Sequence, residues 1–185
     1  TDRGCVALVK KDKILFHVEL PKGFHNSKAL LPEIDRAFKK TELQPKQLDY
    51  IVVGIGPGSY TGIRVGVMTG KAMAYALKIP LVGVSTLEGF IPTKDCKYAA
   101  VIDAKIGGVY VQTGERVNGV IQHLSKPEVY TLKDAIGVLQ DRNVLITPNT
   151  DSIKDKMKTL YPEKDLEWVE CGPNPSQLSD RKSVV

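Results

Sequence analysis

The residues best placed to do chemistry stand in one loop, Gly56-Pro57-Gly58-Ser59-Tyr60-Thr61-Gly62, between a short apolar run and a long, nearly uncharged segment. Backbone N–H groups at a glycine-rich turn opening a helix attract anions, so one reading is a phosphate loop built on Gly56, Gly58, Ser59 and Thr61. The spacing matches no named fingerprint. A Walker loop closes on Gly-Lys-Ser/Thr, where this one has Thr61-Gly62-Ile63-Arg64, and a dinucleotide loop needs glycine where Ser59 or Thr61 stands. The competing reading is a tight strand-to-helix turn that uses glycine for its backbone angles. Asp103, at a strand end, is the one carboxylate suited to a phosphate-bound Mg²⁺, and one carboxylate is thin support.

Other candidates are weaker. His17, His25 and His123 are scattered and have no His, Cys or carboxylate at ligand spacing, and they build no Ser-His-Asp or Cys-His set. Cys5, Cys96 and Cys171 form no CxxC pair and are read as reduced thiols of a cytoplasmic protein. Ser85-Thr86-Leu87-Glu88 has capping-box spacing, which gives Glu88 a structural role. No metal and no cofactor are expected.

The elements around the loop say more. Tyr50–Ile55 reads as a buried strand, Ile63–Leu77 as a helix and Pro80–Val84 as a second strand, which together make a right-handed βαβ crossover. In the helix, Gly62, Gly66, Gly70 and Ala74 recur every four residues and line one face. Each interior glycine costs about 1 kcal/mol against alanine, so the stripe implies close approach of a backbone, within the fold or from a partner. With only Arg64 and Lys71 charged among Ile63, Val65, Val67, Met68, Met73, Tyr75 and Leu77, the helix is expected to be buried on more than one side, with one face in a subunit interface.

The whole chain frames this unit. Its 185 residues, 42% apolar and 25% charged, describe a globular protein, with no run long enough to span a bilayer and no visible signal peptide. The charge of +5 is spread over dispersed lysines without aromatic interleaving and reads as solvated surface rather than as a direct RNA-binding face. Because the chain opens on a turn, Thr1-Asp2-Arg3-Gly4, an earlier strand is expected ahead of it. A hairpin of Cys5–Val9 with Ile14–Leu20 precedes a helix from Asn26 or Ser27 to Lys40 with apolar Leu30 and Ile34. In the second half, Lys97–Asp103, Val109–Thr113 and Val120–Leu124 read as a meander. Helices from Thr131 and from Asp151 or Ser152, strands Val144–Thr147 and Leu166–Cys171, and a frayed tail from Pro173 complete it. Each half holds a hairpin followed by alternating helices and strands. The expected fold is therefore α/β: a duplicated actin-like (ASKHA, RNase H-like) fold with two subdomains, 1–96 and 97–185. A single flavodoxin-like sheet is the alternative.

The stretch GIGPGSYTGIRVGVMTGKAMAYALKIPLVGVSTLEGF closely resembles the bacterial TsaB (YeaZ) family, specifically across Val52 to Phe90 and more weakly over the rest of the chain. That family carries a GPGSYTGLR-type loop, a small-residue helix and a P-L-x-G-V-S-x-L close. Asp103-Ala104-Lys105 with Val109-Tyr110 is similar to the family's D-A-R…V-Y segment, but Lys105 stands for the usual arginine and Gly108 for the usual acidic residue. The resemblance implies a non-catalytic platform that binds TsaD, the paralogue that threonylcarbamoylates an adenosine in tRNA, in a set that includes the ATPase TsaE. The catalytic paralogue carries an N-H-L-E-G-H-I pattern whose two histidines can bind one metal ion. This chain has Thr86 and Phe90 at those positions, so the resemblance implies a lost metal site rather than a metallopeptidase. The docking face is then expected on two helices, at Leu30 and Ile34 of the first and Gly62, Ile63, Gly66, Val67, Gly70, Met73 and Ala74 of the second, with a homodimer through the same helices in isolation. An ATP- or phosphate-dependent actin-like enzyme acting alone is the competing function.

Overall fold

The computed structural model describes residues 3–11, 13–21, 25–106, 108–160 and 166–179. The chain forms two compact units, one holding the residues up to Gly89 with the segment from Asn174, the other Phe90–Pro173. The division falls ahead of the expected 96/97 position because the linking residues belong to the second unit. Arg116 Nη1 donates to the Pro92 carbonyl at 2.5 Å, and the Asp95 carboxylate accepts from the N–H groups of Asn118 and Gly119 at 2.6 and 3.1 Å.

In the first unit, β1 (Cys5–Lys10) and β2 (Lys13–Glu19) form the expected antiparallel hairpin, and α1 (His25–Thr41) follows. Ala37 and Phe38 are the buried positions of α1, and Lys39 and Lys40 lie at its C-terminal, negative end. The cap expected at Asn26 or Ser27 lies outside the described side chains. β3 (Ile51–Gly54) and β4 (Leu81–Val84) pair in parallel, Ile51 opposite Leu81, across α2 (Tyr60–Leu77), so the βαβ crossover is present. α2 starts three residues ahead of its expected Ile63 because Ser59 caps it, its Oγ accepting from the Gly62 N–H at 3.3 Å. Lys78, left-handed at φ 57°, ends it. α1 packs on β1, β2 and α2, and α2 packs on β3 and β4.

The second unit is one sheet in the order β10-β9-β5-β6-β7, with β8 also on β6. Its strands are β5 (Cys96–Asp103), β6 (Gly108–Val117), β7 (Val120–His123), β8 (Glu128–Thr131), β9 (Val144–Thr147) and β10 (Glu167–Glu170). β5 runs antiparallel to β6 and parallel to β9. β6 turns into β7 through Asn118 (φ 51°) and Gly119 (φ 79°), the primed turn expected at that dipeptide. α3 (Leu132–Val138) is capped by Thr131, whose Oγ1 accepts from the Asp134 N–H at 3.2 Å, and α4 (Asp151–Leu160) precedes β10. Residues at strand spacing (Ala99, Val101; Val109, Val111) meet residues at helical spacing (Ala135, Leu139; Ile153, Met157) in one core. On the other face of β5, burial pushes the phenol of Tyr98 up to about 12. β8 was not expected; it is four residues long with Val129 exposed, too short for an alternating pattern. Within the tail expected to be frayed, the described residues form α5 (Pro175–Ser179), on β1, β2 and the 3-10 turn Thr86–Gly89 of the first unit, and residues 180–185 lie outside the described residues. Tyr50 Oη donates to the Ser179 carbonyl at 3.0 Å.

Candidate functional site

The loop after β3 is held from beneath. The Ile55 N–H donates to the Val84 carbonyl at 2.9 Å, and the Gly56 carbonyl accepts from the Thr86 N–H at 2.8 Å and from Ser85 Oγ at 3.4 Å. Gly56 has φ +106°, which explains its glycine. Gly58, Ser59 and Thr61 are exposed, but Ser59 is spent on the helix cap, its carbonyl also accepting from the Ile63 N–H at 2.9 Å. The loop therefore acts as an anchored strand-to-helix turn. Asp103, in the second unit, already carries a cation: its Oδ1 accepts from Lys156 Nζ and from the Lys105 N–H, each at 2.8 Å. Among the described residues, no group of three or more His, Cys, Asp or Glu could hold a metal ion.

The C-terminal half of the small-residue stripe of α2 packs into the protein's own fold. Gly70 and Ala74, expected on a partner face, are buried within the first unit. A Cβ on Gly70 would stand 2.5 Å from Val53 Cγ1 on β3 and 3.2 Å from Leu81 Cδ1 on β4, so the glycine lets the helix lie on the strands. Gly62, Ile63, Gly66, Val67 and Met73, with Leu30 and Ile34 of α1, are half-buried. A Cβ on Gly66 would meet nothing within 4 Å. Gly66→Ala is accordingly expected to stabilise the protein by up to about 1 kcal/mol, the helix-propensity difference, read as a higher midpoint in urea; a lower midpoint would show an unrecognised contact there.

The outward face of α2 is a different set of residues. Tyr60, Arg64, Met68, Lys71 and Tyr75 follow one another at steps of four, four, three and four, and all are exposed. Tyr60 is 72%, Met68 64% and Tyr75 89% exposed. The Arg64 guanidinium lies 4.7 Å from the Tyr60 ring centroid, a cation–π contact between two exposed side chains. A shallow depression of about 340 Å³ runs along Tyr60, Thr61, Arg64, Val65 and Met68. This face was missed from sequence because the glycine stripe drew the inference. The step pattern of large side chains, written on the same helix, could have found it.

Thr86 and Phe90 fall in separate units. Thr86 begins the 3-10 turn after β4, its Oγ1 3.3 Å from where a Gly54 Cβ would stand, and the Ser85 Oγ accepts from the Leu87 N–H at 3.3 Å in place of the full capping box. Phe90 is 0% exposed and serves as core. Neither side chain offers a metal an imidazole.

A family model described as TsaD: tRNA N6-adenosine threonylcarbamoyltransferase matches residues 23–173. A Bacillus subtilis protein named tRNA threonylcarbamoyladenosine biosynthesis protein TsaB is 30% identical over 183 residues, covering 94% of this chain and 80% of that protein. YeaZ from Pseudomonas aeruginosa is similar in structure with a TM-score of 0.78 at 20% identity, over 96% of this chain and 84% of the other. A crystal structure described as an uncharacterized protein with similarity to peptidase YEAZ from Pseudomonas aeruginosa gives 0.77 at 19% identity over the same shares. At these identities the likeness carries the fold, the actin-like α/β fold expected from the sequence.

Proposed function

The chain belongs to the TsaB family, and from that premise we propose that it is the non-catalytic partner of a TsaD-like paralogue in making threonylcarbamoyladenosine in tRNA. The observation that carries this reading is the outward face of α2. Three large side chains, Tyr60, Met68 and Tyr75, stand in a row on an 18-residue helix whose other side buries Gly70 and Ala74 within its own unit. A solvated helix face normally carries charge, and an exposed apolar row marks a docking surface. Its flanking charges, Arg64 and Lys71, are both basic, so the partner surface is apolar with an acidic rim. The absence of imidazoles at Thr86 and Phe90 supports assignment of the chemistry to the partner, and the ammonium already bound by Asp103 weighs against a stand-alone Mg²⁺-nucleotide enzyme.

The test is size-exclusion chromatography with light scattering on the purified chain mixed with the TsaD-like protein of the same organism. A one-to-one complex is expected, with threonylcarbamoyl transfer to tRNA only when both are present. Separate elution, or transfer by this chain without its partner, would overturn the assignment. A homodimer of the chain alone that dissolves on adding the paralogue would support the shared use of one face.

A further inference from the structure

The tip of the β1–β2 hairpin gathers like charges. A bulge between Leu8 and Val9 shifts the register, so that Lys10 falls directly opposite Lys13. Opposed residues of an antiparallel pair have Cβ atoms about 4.5–5.5 Å apart, and like charges placed there are destabilising. Among the described cross-strand pairs, one other joins two charged residues, Lys97 with Glu115, and those are opposite in sign. Lys11, in the turn, has φ 53°, a left-handed conformation disfavoured for a residue with a Cβ. The β6–β7 hairpin meets the same demand with Asn118 and Gly119, and here a third lysine stands instead. Lys10, Lys11 and Lys13 are all exposed. The described ion pairs of this unit are Arg3–Glu19, Arg36–Glu33 and Lys39–Asp35, and none of them includes these lysines. Asp12, between them in the sequence, lies outside the described residues.

α1 brings further charge to the same end of the unit. The helix lies on both strands of the hairpin. It begins at His25, after β2 has ended at Glu19, and its Arg36 guanidinium stands 5.9 Å from the ring centroid of Phe16, at the middle of β2. α1 therefore runs back along β2, and its last turn, with Lys39 and Lys40, lies toward the hairpin tip. Lys39 is held by Asp35 at 2.6 Å, whereas Lys40 is exposed and belongs to no described ion pair.

We propose that this end of the first unit, Lys10, Lys11 and Lys13 with Lys40, binds the phosphate backbone of tRNA. The choice of tRNA rests on the proposed function, and the choice of a phosphate backbone rests on the residues. Lysine is a flexible point charge and is depleted at protein–protein interfaces, and the stretch from Val9 to Leu15 has neither an aromatic nor an arginine to anchor a protein partner. Lysines set side by side suit a polyanion, whose backbone repeats its charge at close spacing and is bound electrostatically, whatever the base sequence. A phosphate seated between Lys10 and Lys13 sets two attractions against their mutual repulsion. Taken singly along the sequence these lysines are solvated surface; the strand register and the direction of α1 gather them.

The test is fluorescence anisotropy of a labelled, unmodified tRNA titrated with the chain alone, and again with the TsaD-like paralogue added, at salt from about 50 to 200 mM. Binding by the wild-type chain is expected to tighten as salt falls. Replacing Lys10, Lys11 and Lys13 together by alanine is expected to weaken it by about tenfold or more at the lowest salt, and to lower the slope of log affinity against log salt by about 2–3. The melting temperature stays level or rises, because the repulsion at the tip is removed. The triple arginine variant is expected to keep both affinity and slope. Unchanged affinity and slope in the alanine variant would overturn the proposal, as would no tRNA binding by the wild-type chain in either titration. Loss of the paralogue by the alanine variant, with its own tRNA titration unchanged, would also overturn it and make the tip a protein contact. Failure of the paralogue to join the wild-type chain overturns the proposed function instead, and the titration of the chain alone still decides this assignment.

Discussion

Replacing Met68 and Tyr75 together by aspartate is expected to abolish co-purification with the TsaD-like paralogue while leaving the melting temperature of the isolated chain nearly unchanged. The two side chains are 64% and 89% exposed, so the free protein loses little packing when they change. In a complex they would be covered, and burying a side chain of this size contributes roughly 1.5–3 kcal/mol. Two such losses, before the added cost of desolvating two carboxylates, weaken the complex by about 100-fold or more, since each 1.4 kcal/mol is tenfold. Val129→Asp supplies the control: Val129 is also a large exposed apolar residue, 60% exposed, but lies on β8. Loss of binding in the α2 variant with full binding in the β8 variant would locate the interface. Wild-type binding by the α2 variant would remove the face from the proposed function.

Gly70→Val is expected to be the most destabilising exchange within the glycine row. Even the first added carbon falls 2.5 Å from Val53 Cγ1, and Val53 is a stiff, β-branched residue on a strand that cannot swing away. Overpacking of this kind costs about 1–3 kcal/mol for a small insertion. For Gly70→Ala roughly 1 kcal/mol of that is offset by better helix propensity. Valine adds two further methyl groups and loses the offset, so a loss of about 3 kcal/mol or more follows, on the order of 10 °C or more in melting temperature for a unit of this size. The mechanism has its own check. If the clash with Val53 is the cause, Val53→Ala paired with Gly70→Ala costs less than the sum of the single changes. Strict additivity would show that Gly70 is small for another reason.

These two substitutions also mark how far sequence reasoning reached. The βαβ unit, the strand hairpins, the Thr131 cap and the Asn118–Gly119 turn were all legible, because each rests on a local rule: alternation at period two, apolar spacing near 3.6, a side-chain oxygen three residues before an N–H, or a residue able to take positive φ. The resemblance of Gly54–Phe90 to TsaB was legible for a related reason, since it lies in contiguous residues. Which side of α2 meets the sheet was not. A helix apolar nearly all round gives no local signal for its inward face, and the glycines fit either a partner's backbone or the protein's own strands. Val53 and Leu81 decided it, and they do so from 17 residues before Gly70 and 11 after, through a contact that exists only once the parallel pair has formed.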